Sequence, residues 1–178
     1  METCLFCRKE YAGVGSDAAT ARVVTTSICP DCLREMKQRR PRSMHGFLDS
    51  LGVPILLIGS EPMVETANTH ARKLLGKELW EIERHRGGDV IECVYARSPG
   101  GCGNDVHCRS CTIRNTVLDT FATGRCFERI RAYPDIEFGQ EIRHMCFEIS
   151  TEKFGIFVLL RIDNVRDVGR PRAHATSP

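Results

Sequence analysis

Three pairs of cysteines spaced as Cys-x-x-Cys constrain the fold of this chain more than any other feature of its sequence. The pairs are Cys4/Cys7, Cys29/Cys32 and Cys108/Cys111. None is followed by histidine, so the pattern does not indicate covalent attachment of a c-type haem. In a reducing compartment, clustered cysteines are more often thiolate ligands than disulfide partners. The spacing therefore predicts metal sites.

The first two pairs predict one zinc site. A Cys-x-x-Cys turn places two sulfurs on one side of a knuckle, and two knuckles close a tetrahedron around zinc, here Cys4, Cys7, Cys29 and Cys32. Residues 1–36 carry little apolar material, so bound zinc is the expected source of their fold. Redox Cys-x-x-Cys chemistry is not favoured, because no βαβ pattern surrounds either pair. A DNA-reading finger is not favoured either, because no basic recognition helix follows.

A second set of four cysteines has the spacing C-x8-C-x5-C-x2-C. It comprises Cys93, Cys102, Cys108 and Cys111. The glycines at 100, 101 and 103 allow tight bends that bring backbone amides close to sulfur. A helix predicted over residues 109–123 places the last two thiols at its start, where the helix dipole favours thiolate. Four thiolates suit either an iron–sulfur cluster or zinc, and both remain open here.

Three other residues near these motifs have simpler interpretations. His107 could replace Cys93 as a ligand, although an exposed loop position suits it as well. Cys126 and Cys146 fall in predicted strands, so we expect them to be core residues rather than ligands.

Composition and length set the broad class of the protein. The chain has 178 residues, which suits one core of moderate size with a small appendage. A formal net charge of +2 gives no case for nucleic-acid binding. The longest apolar run, residues 53–58, is too short to span a bilayer, and residues 1–4 do not begin a signal peptide. We therefore expect a cytoplasmic protein without a membrane partner.

The order of predicted elements favours an α+β fold. Strands are predicted over 53–58, 63–66, 126–133, 141–150 and 154–162, and helices over 68–75, 89–96 and 109–123. The first helix is predicted to begin at Asn68 and to end at Gly76, the left-handed cap residue. The predicted domains are a zinc-binding segment over 1–36, a basic linker over 37–45, a sheet domain over 46–164 and a disordered tail over 165–178.

The sheet domain resembles the PAS sensory domains. The resemblance rests on Leu48-Asp49-Ser50-Leu51-Gly52-Val53-Pro54-Ile55, Asn68, Leu74-Leu75-Gly76 and Arg161-Ile162-Asp163-Asn164, and covers residues 46–164. It implies a five-stranded antiparallel sheet with flanking helices, used to sense ligands or redox state and often to form dimers. In addition, the segment Ile28-Cys29-Pro30-Asp31-Cys32 looks like a small cysteine motif found near sensory domains in bacterial signalling proteins.

The sequence predicts a sensor rather than an enzyme. It contains no nucleophile elbow, phosphate loop or His-Glu-x-x-His motif, and its histidines are scattered; His70 alone could face a ligand cavity. We expect loss or oxidation of the second four-cysteine centre to change a surface for a signalling partner or for a second copy of the chain. The alternative is a zinc-stapled interaction or adaptor module without switching, and a lower alternative is a nucleic-acid-binding regulator.

Overall fold

The computed structural model describes residues 2–4, 7–11, 29–32 and 44–169, which fall into two compact units, Met1–Leu51 and Gly52–Pro178. The first unit contains strands β1 (Glu2–Thr3) and β2 (Glu10–Tyr11), a helical turn over 30–32 and helix α1 (Met44–Ser50). β1 and β2 pair antiparallel, with Thr3 opposite Glu10. Most of the predicted linker lies outside the described residues, but α1 begins at Met44, two residues before the predicted domain start.

The second unit is a mixed α/β domain. Its strands are β3 (Ile55–Ile58), β4 (Val64–Ala67), β5 (Phe127–Ala132), β6 (Asp135–Phe138), β7 (Glu141–Phe154) and β8 (Phe157–Asp167). Its α-helices are α2 (Thr69–Leu75), α3 (Gly87–Val90) and α4 (Thr112–Thr123). Short 3-10 helices occupy Leu79–Glu81, Val94–Arg97 and Val106–Ser110. None of the helices in the described part of the chain is long and apolar enough to cross a membrane.

All strand pairs in the main sheet are antiparallel. The strand order is β4-β3-β8-β7-β5, and β6 pairs with β7 beside this path. β3 lies between the edge strand β4 and the central strand β8, and Leu56 lies opposite Leu160 of β8. All four residues of β3 are buried, which explains why this strand is continuously apolar rather than alternating.

The core is built on one face of the sheet. Every second residue of β8, namely Val158, Leu160 and Ile162, belongs to it, as the two-residue period of a strand requires. From α4, Val117 enters the same core. Thr120 of α4 is fully buried, and its hydroxyl lies 2.7 Å from that of Thr151 in β7.

The predicted end of α2 at Gly76 is confirmed, and Asn68, predicted as the first helical residue, is the N-cap. The Asn68 side chain accepts a hydrogen bond from Ala71 N at 2.9 Å and another from Ile55 N at 3.0 Å. The same side chain donates to Val53 O at 2.7 Å, so one buried residue both starts the helix and fixes the entry to β3. Gly76 ends the helix with φ 65°, the left-handed conformation that glycine adopts without strain.

The α+β sheet with flanking helices is confirmed, but several boundaries were wrong. No strand was predicted between residues 133 and 141, where β6 lies, and β6 raises the number of strands from five to six. β8 continues through Val165 to Asp167, so the first part of the predicted disordered tail is strand, because β7 is long enough to pair with it. The remaining tail over 170–178 lies outside the described residues. The predicted helix over 89–96 is instead α3 followed by a 3-10 helix, separated by residues 91–93.

Candidate metal centres

The first unit brings together the four cysteines of the predicted zinc site. The Sγ atoms of Cys4, Cys7, Cys29 and Cys32 all lie within 4.8 Å of one another. The sulfurs of Cys7 and Cys29 are 3.6 Å apart. Tetrahedral zinc with Zn–S bonds of about 2.3 Å holds its sulfurs about 3.8 Å apart. The spacing and the donor set therefore fit a single zinc ion.

Backbone hydrogen bonds form the first knuckle between β1 and β2. Cys4 donates its N–H to Lys9 O at 3.0 Å, and Arg8 donates to Cys4 O at 2.9 Å. Arg8 has φ 57°, which turns the chain tightly enough to bring Cys7 back towards Cys4. Cys29, just before the helical turn, donates its N–H to Cys4 Sγ at 3.3 Å. The two knuckles are thus joined by a hydrogen bond that stabilises a thiolate at Cys4.

The crowding of these sulfurs opposes thiolate formation in the absence of a cation. Burial raises the pKa of Cys32, and the neighbouring sulfurs of Cys29, Cys7 and Cys4 raise it further. A dication supplies the positive charge that allows all four to ionise. The two cysteines nearest the interior, Cys4 and Cys29, are both buried, so bound metal would be shielded from water on that side.

The second set of cysteines lies in one loop region between α3 and α4. Cys93 immediately precedes the 3-10 helix Val94–Arg97, and Cys102 lies in the turn over 102–104. Cys108 is buried within the 3-10 helix Val106–Ser110, and Cys111 is the N-cap of α4. The predicted helix over 109–123 was therefore wrong in its first three residues. The chain bends at Cys111 instead, which separates Cys108 from the dipole of α4.

Backbone amides point at the sulfurs of this loop. Gly88 donates its N–H to Cys102 Sγ at 3.3 Å, and Gly103 donates to Cys108 Sγ at 3.2 Å. Burial raises the pKa of Cys93, whereas the backbone N–H groups of Tyr95 and Ala96 act in the opposite direction. Amide donors of this kind stabilise the negative charge of thiolate ligands.

Electrostatics show that the four thiols are neighbours. Burial raises the pKa of Cys93, and the charges of Cys111 and Cys102 raise it further. Burial likewise raises the pKa of Cys102, together with the charges of Cys108, Asp89 and Cys111. The loop therefore gathers the four sulfurs into one electrostatic group.

The two sets differ in spacing. Among the described residues, the first tetrad forms a compact group, because its four sulfurs all lie within 4.8 Å of one another. No three sulfurs of the second set meet that distance. The second centre is thus wider than the first, and its assignment as a metal site stays a prediction.

His107 has partners other than the cysteine sulfurs. The ring of His107 stacks on Tyr95 with centroids 4.1 Å apart, and its Nδ1 lies 2.8 Å from Asp105 Oδ1. The side chain is 57% exposed, which agrees with the loop interpretation rather than with replacement of Cys93. His70 is exposed on α2, so its predicted role at a cavity is not supported by its position.

The two remaining cysteines, Cys126 and Cys146, differ in burial. Cys146 is buried in β7 as expected of a core residue. Cys126 is half-buried and lies one residue before β5, which begins at Phe127.

Sequence reasoning missed two contributors to the second centre. Gly88 was not singled out, although the Gly87-Gly88 pair five residues before Cys93 is the signal that could have identified it. A Cβ atom at position 88 would lie 2.6 Å from Cys102 Sγ, so the close approach of backbone to sulfur requires glycine there. Tyr95 was also missed; single tyrosines carry no spacing signal.

Comparison with known proteins returns likenesses to solved PAS domains. The chain is 18% identical to the PAS domain of a Desulfitobacterium hafniense protein, covering 68% of this chain and 98% of that one, with a TM-score of 0.39. It is 12% identical to the PAS domain of nitrogen regulation protein NR(II) from Vibrio parahaemolyticus, covering 71% and 99%, with a TM-score of 0.40. It is 13% identical to the PAS domain of BvgS from Bordetella pertussis, covering 75% of this chain and 85% of that one, with a TM-score of 0.37. No protein-family model and no curated protein matches the chain.

Proposed function

We propose that this chain is a PAS-like signalling sensor that responds to redox or metal state and relays to a partner protein, and that it is not an enzyme. In this proposal the tetrad of the first unit holds a structural zinc. The second set, Cys93, Cys102, Cys108 and Cys111, holds the responsive centre. The assignment rests on the chemistry of the cysteine loop and on the sequence motifs of the sheet domain.

The observation that carries the proposal is the delivery of backbone amides to the sulfurs of this loop. Gly88 and Gly103 each place an N–H within 3.3 Å of a cysteine sulfur, on Cys102 and Cys108. Ordinary core cysteines need no such donors, since a buried thiol behaves as a small apolar group. Amide donors aimed at several neighbouring thiols favour a site whose sulfurs carry negative charge.

The amide donors to these sulfurs favour an iron–sulfur cluster over zinc, because hydrogen bonds to the sulfurs help to set the reduction potential of such a cluster. Such a cluster would supply a one-electron redox couple within the sheet domain.

Loss of the centre has a direct consequence for the loop. Burial and mutual repulsion raise the pKa of Cys93 and Cys102, so without a cationic core these groups return to neutral thiols. Neutral thiols are weak acceptors, and the hydrogen bonds from Gly88 and Gly103 lose strength. The loop is then less ordered, which is the proposed signal.

The decisive measurement is metal and acid-labile sulfide content, with an absorption spectrum, on protein purified without oxygen and without a metal-binding tag. We expect one zinc, together with iron, sulfide and visible absorption that disappear in Cys108→Ser. Cys126→Ser is the matched control, because Cys126 lies outside both sets, and it should retain both metals. A colourless protein with no iron would refute the cluster.

A second candidate is a zinc-stapled interaction module without switching. The compact first tetrad, with two sulfurs 3.6 Å apart, favours it, because that geometry serves structural zinc. Two zinc ions per chain and unchanged partner binding after oxidation would support it. Light scattering before and after oxidation tests whether the partner is a second copy of the chain.

A further inference from the structure

Strand β6 lies between the rest of the sheet and the cysteine loop. Along one edge it pairs with β7, from Asp135 opposite His144 to Phe138 opposite Glu141. Along the other edge, Ile136 forms an antiparallel β-bridge with Cys93. Glu137 also donates its N–H to Glu92 O at 2.9 Å. A proposed ligand of the second centre is thus itself a β-bridge residue.

Side chains reinforce this junction. Arg97, at the end of the 3-10 helix after Cys93, lies 3.0 Å from the carboxylate of Glu137 and 3.2 Å from that of Glu92. These contacts join Glu92 and Arg97, on either side of Cys93, to Glu137 of β6.

We infer that the β6–β7 hairpin, residues 135–144, is the element through which the second centre acts on the sheet. This inference rests on the proposed function. When Cys93 Sγ is held in the centre, the short cysteine side chain restrains the backbone of Cys93. That backbone forms the β-bridge with Ile136. When the centre is lost, that constraint disappears and the edge of β6 loses an ordered partner.

Coupling of this kind is reciprocal. If the bound centre stabilises the pairing of the loop with β6, then an intact β6 junction must stabilise the bound centre by the same free energy. Changes in the hairpin should therefore alter retention of the centre, although no hairpin residue is a ligand. A purely local effect of the centre on its own loop predicts no such dependence.

The first test is hydrogen–deuterium exchange on the full chain, comparing the loaded protein with the protein after chelation and with Cys108→Ser. We expect backbone amides in β6, including Glu137, to exchange at least about tenfold faster without the centre, because local opening there becomes easier. Amides of β3 and β8 should change little. Acceleration confined to α4, which starts at Cys111, would overturn the inference.

The second test measures release of metal to a chelator. Glu137→Gln removes the charge that pairs with Arg97, and we expect release from the second centre to quicken several-fold. Glu141→Gln is the matched control on the same hairpin, because Glu141 pairs with Arg143 within β7 and should leave release unchanged. Equal release rates in both variants and in the wild type would contradict the coupling.

Different results would overturn the proposed function and the coupling through the β6–β7 hairpin. If Cys93, Cys102, Cys108 and Cys111 bind neither metal nor cluster in the wild type, the proposed function falls and the inference falls with it. If they bind a centre, and β6 exchange is the same with and without it, the inference alone is wrong.

Discussion

Gly88 donates its backbone N–H to the sulfur of Cys102 at 3.3 Å, and a Cβ at position 88 would lie 2.6 Å from that sulfur. The close contact that allows this hydrogen bond also leaves no room for a side chain at position 88. The backbone must approach closely for the hydrogen bond to form, and only glycine permits that approach. Neighbouring Gly87, in the same short helix, would place a Cβ in open space.

This pair of glycines provides a matched test of the second centre. Gly88→Ala should displace Cys102 and reduce occupancy of the second centre, while zinc in the first tetrad remains. Gly87→Ala should leave both centres unchanged and stabilise α3 by up to about 1 kcal/mol, the usual preference for alanine over glycine in a helix. Metal content and thermal unfolding of both variants give the answer. Equal occupancy in the two variants would show that the Gly88 contact is unimportant.

Removal of the first metal should affect the first unit alone. Cys29→Ser deletes a buried sulfur of the first tetrad, so we expect loss of one metal ion per chain. The described residues of the two knuckles, 2–4, 7–11 and 29–32, should lose their structure, because residues 1–36 carry little apolar material to bury. Amide NMR signals of residues 52–169 should keep their positions, since these residues form a separate compact unit. Widespread shifts in that range would contradict this expectation.

The buried hydroxyl pair between α4 and β7 should show strong coupling. Thr120 and Thr151 are almost fully buried with oxygens 2.7 Å apart. Thr120→Val or Thr151→Val alone leaves one hydroxyl without this partner and should reduce the free energy of unfolding by about 1–3 kcal/mol. The double variant should lie closer to the wild type than the sum of the singles, as urea denaturation will show. Additive losses would mean that the two hydroxyls do not depend on each other.

Asp105 should titrate at unusually low pH. The backbone N–H of His107 and then its ring lower the pKa of this carboxyl, whose Oδ1 accepts that N–H at 2.9 Å. Because the folded pKa is depressed, the contribution of Asp105 to stability is present above the ordinary aspartate range near about 3.9 and is lost as pH falls through the folded value. Carbon-detected NMR should show this midpoint.

The variant His107→Ala separates the two causes of that shift. It removes the ring but keeps the backbone N–H, so the pKa of Asp105 should rise only part of the way to its ordinary value. Full restoration would show that the ring, rather than the amide, is the main cause.

Local sequence signals predicted the elements that have local causes. Asn68 and Gly76 determine α2 through their own backbone conformations and hydrogen bonds, so both caps could be recognised without knowledge of the rest of the fold. The first tetrad was equally recognisable, because two knuckles fix the relative positions of four sulfurs at short range.

The elements that were missed depend on distant partners. Asp135 to Phe138 are flanked by Pro134 and Gly139, which indicate turns, and become a strand because β7 and the Cys93 loop supply hydrogen bonds on either side. Val165 to Asp167 extend β8 because Met145 to Phe147 lie opposite them. The contact between Gly88 and Cys102 likewise depends on how the loop folds back, so the Gly87-Gly88 pair indicates a close approach without identifying the sulfur that is approached.

The position of β3 has a consequence for how the chain acquires its structure during synthesis. β3 is made early and pairs with β8, the last strand, so its apolar edge has no final neighbour until the ribosome has produced nearly the whole domain. Until then one edge of the strand Ile55–Ile58 is unpaired and can form backbone hydrogen bonds with other nascent chains. Closure of the sheet is therefore a late event in translation, and a message that ends before β8 would yield an aggregation-prone product.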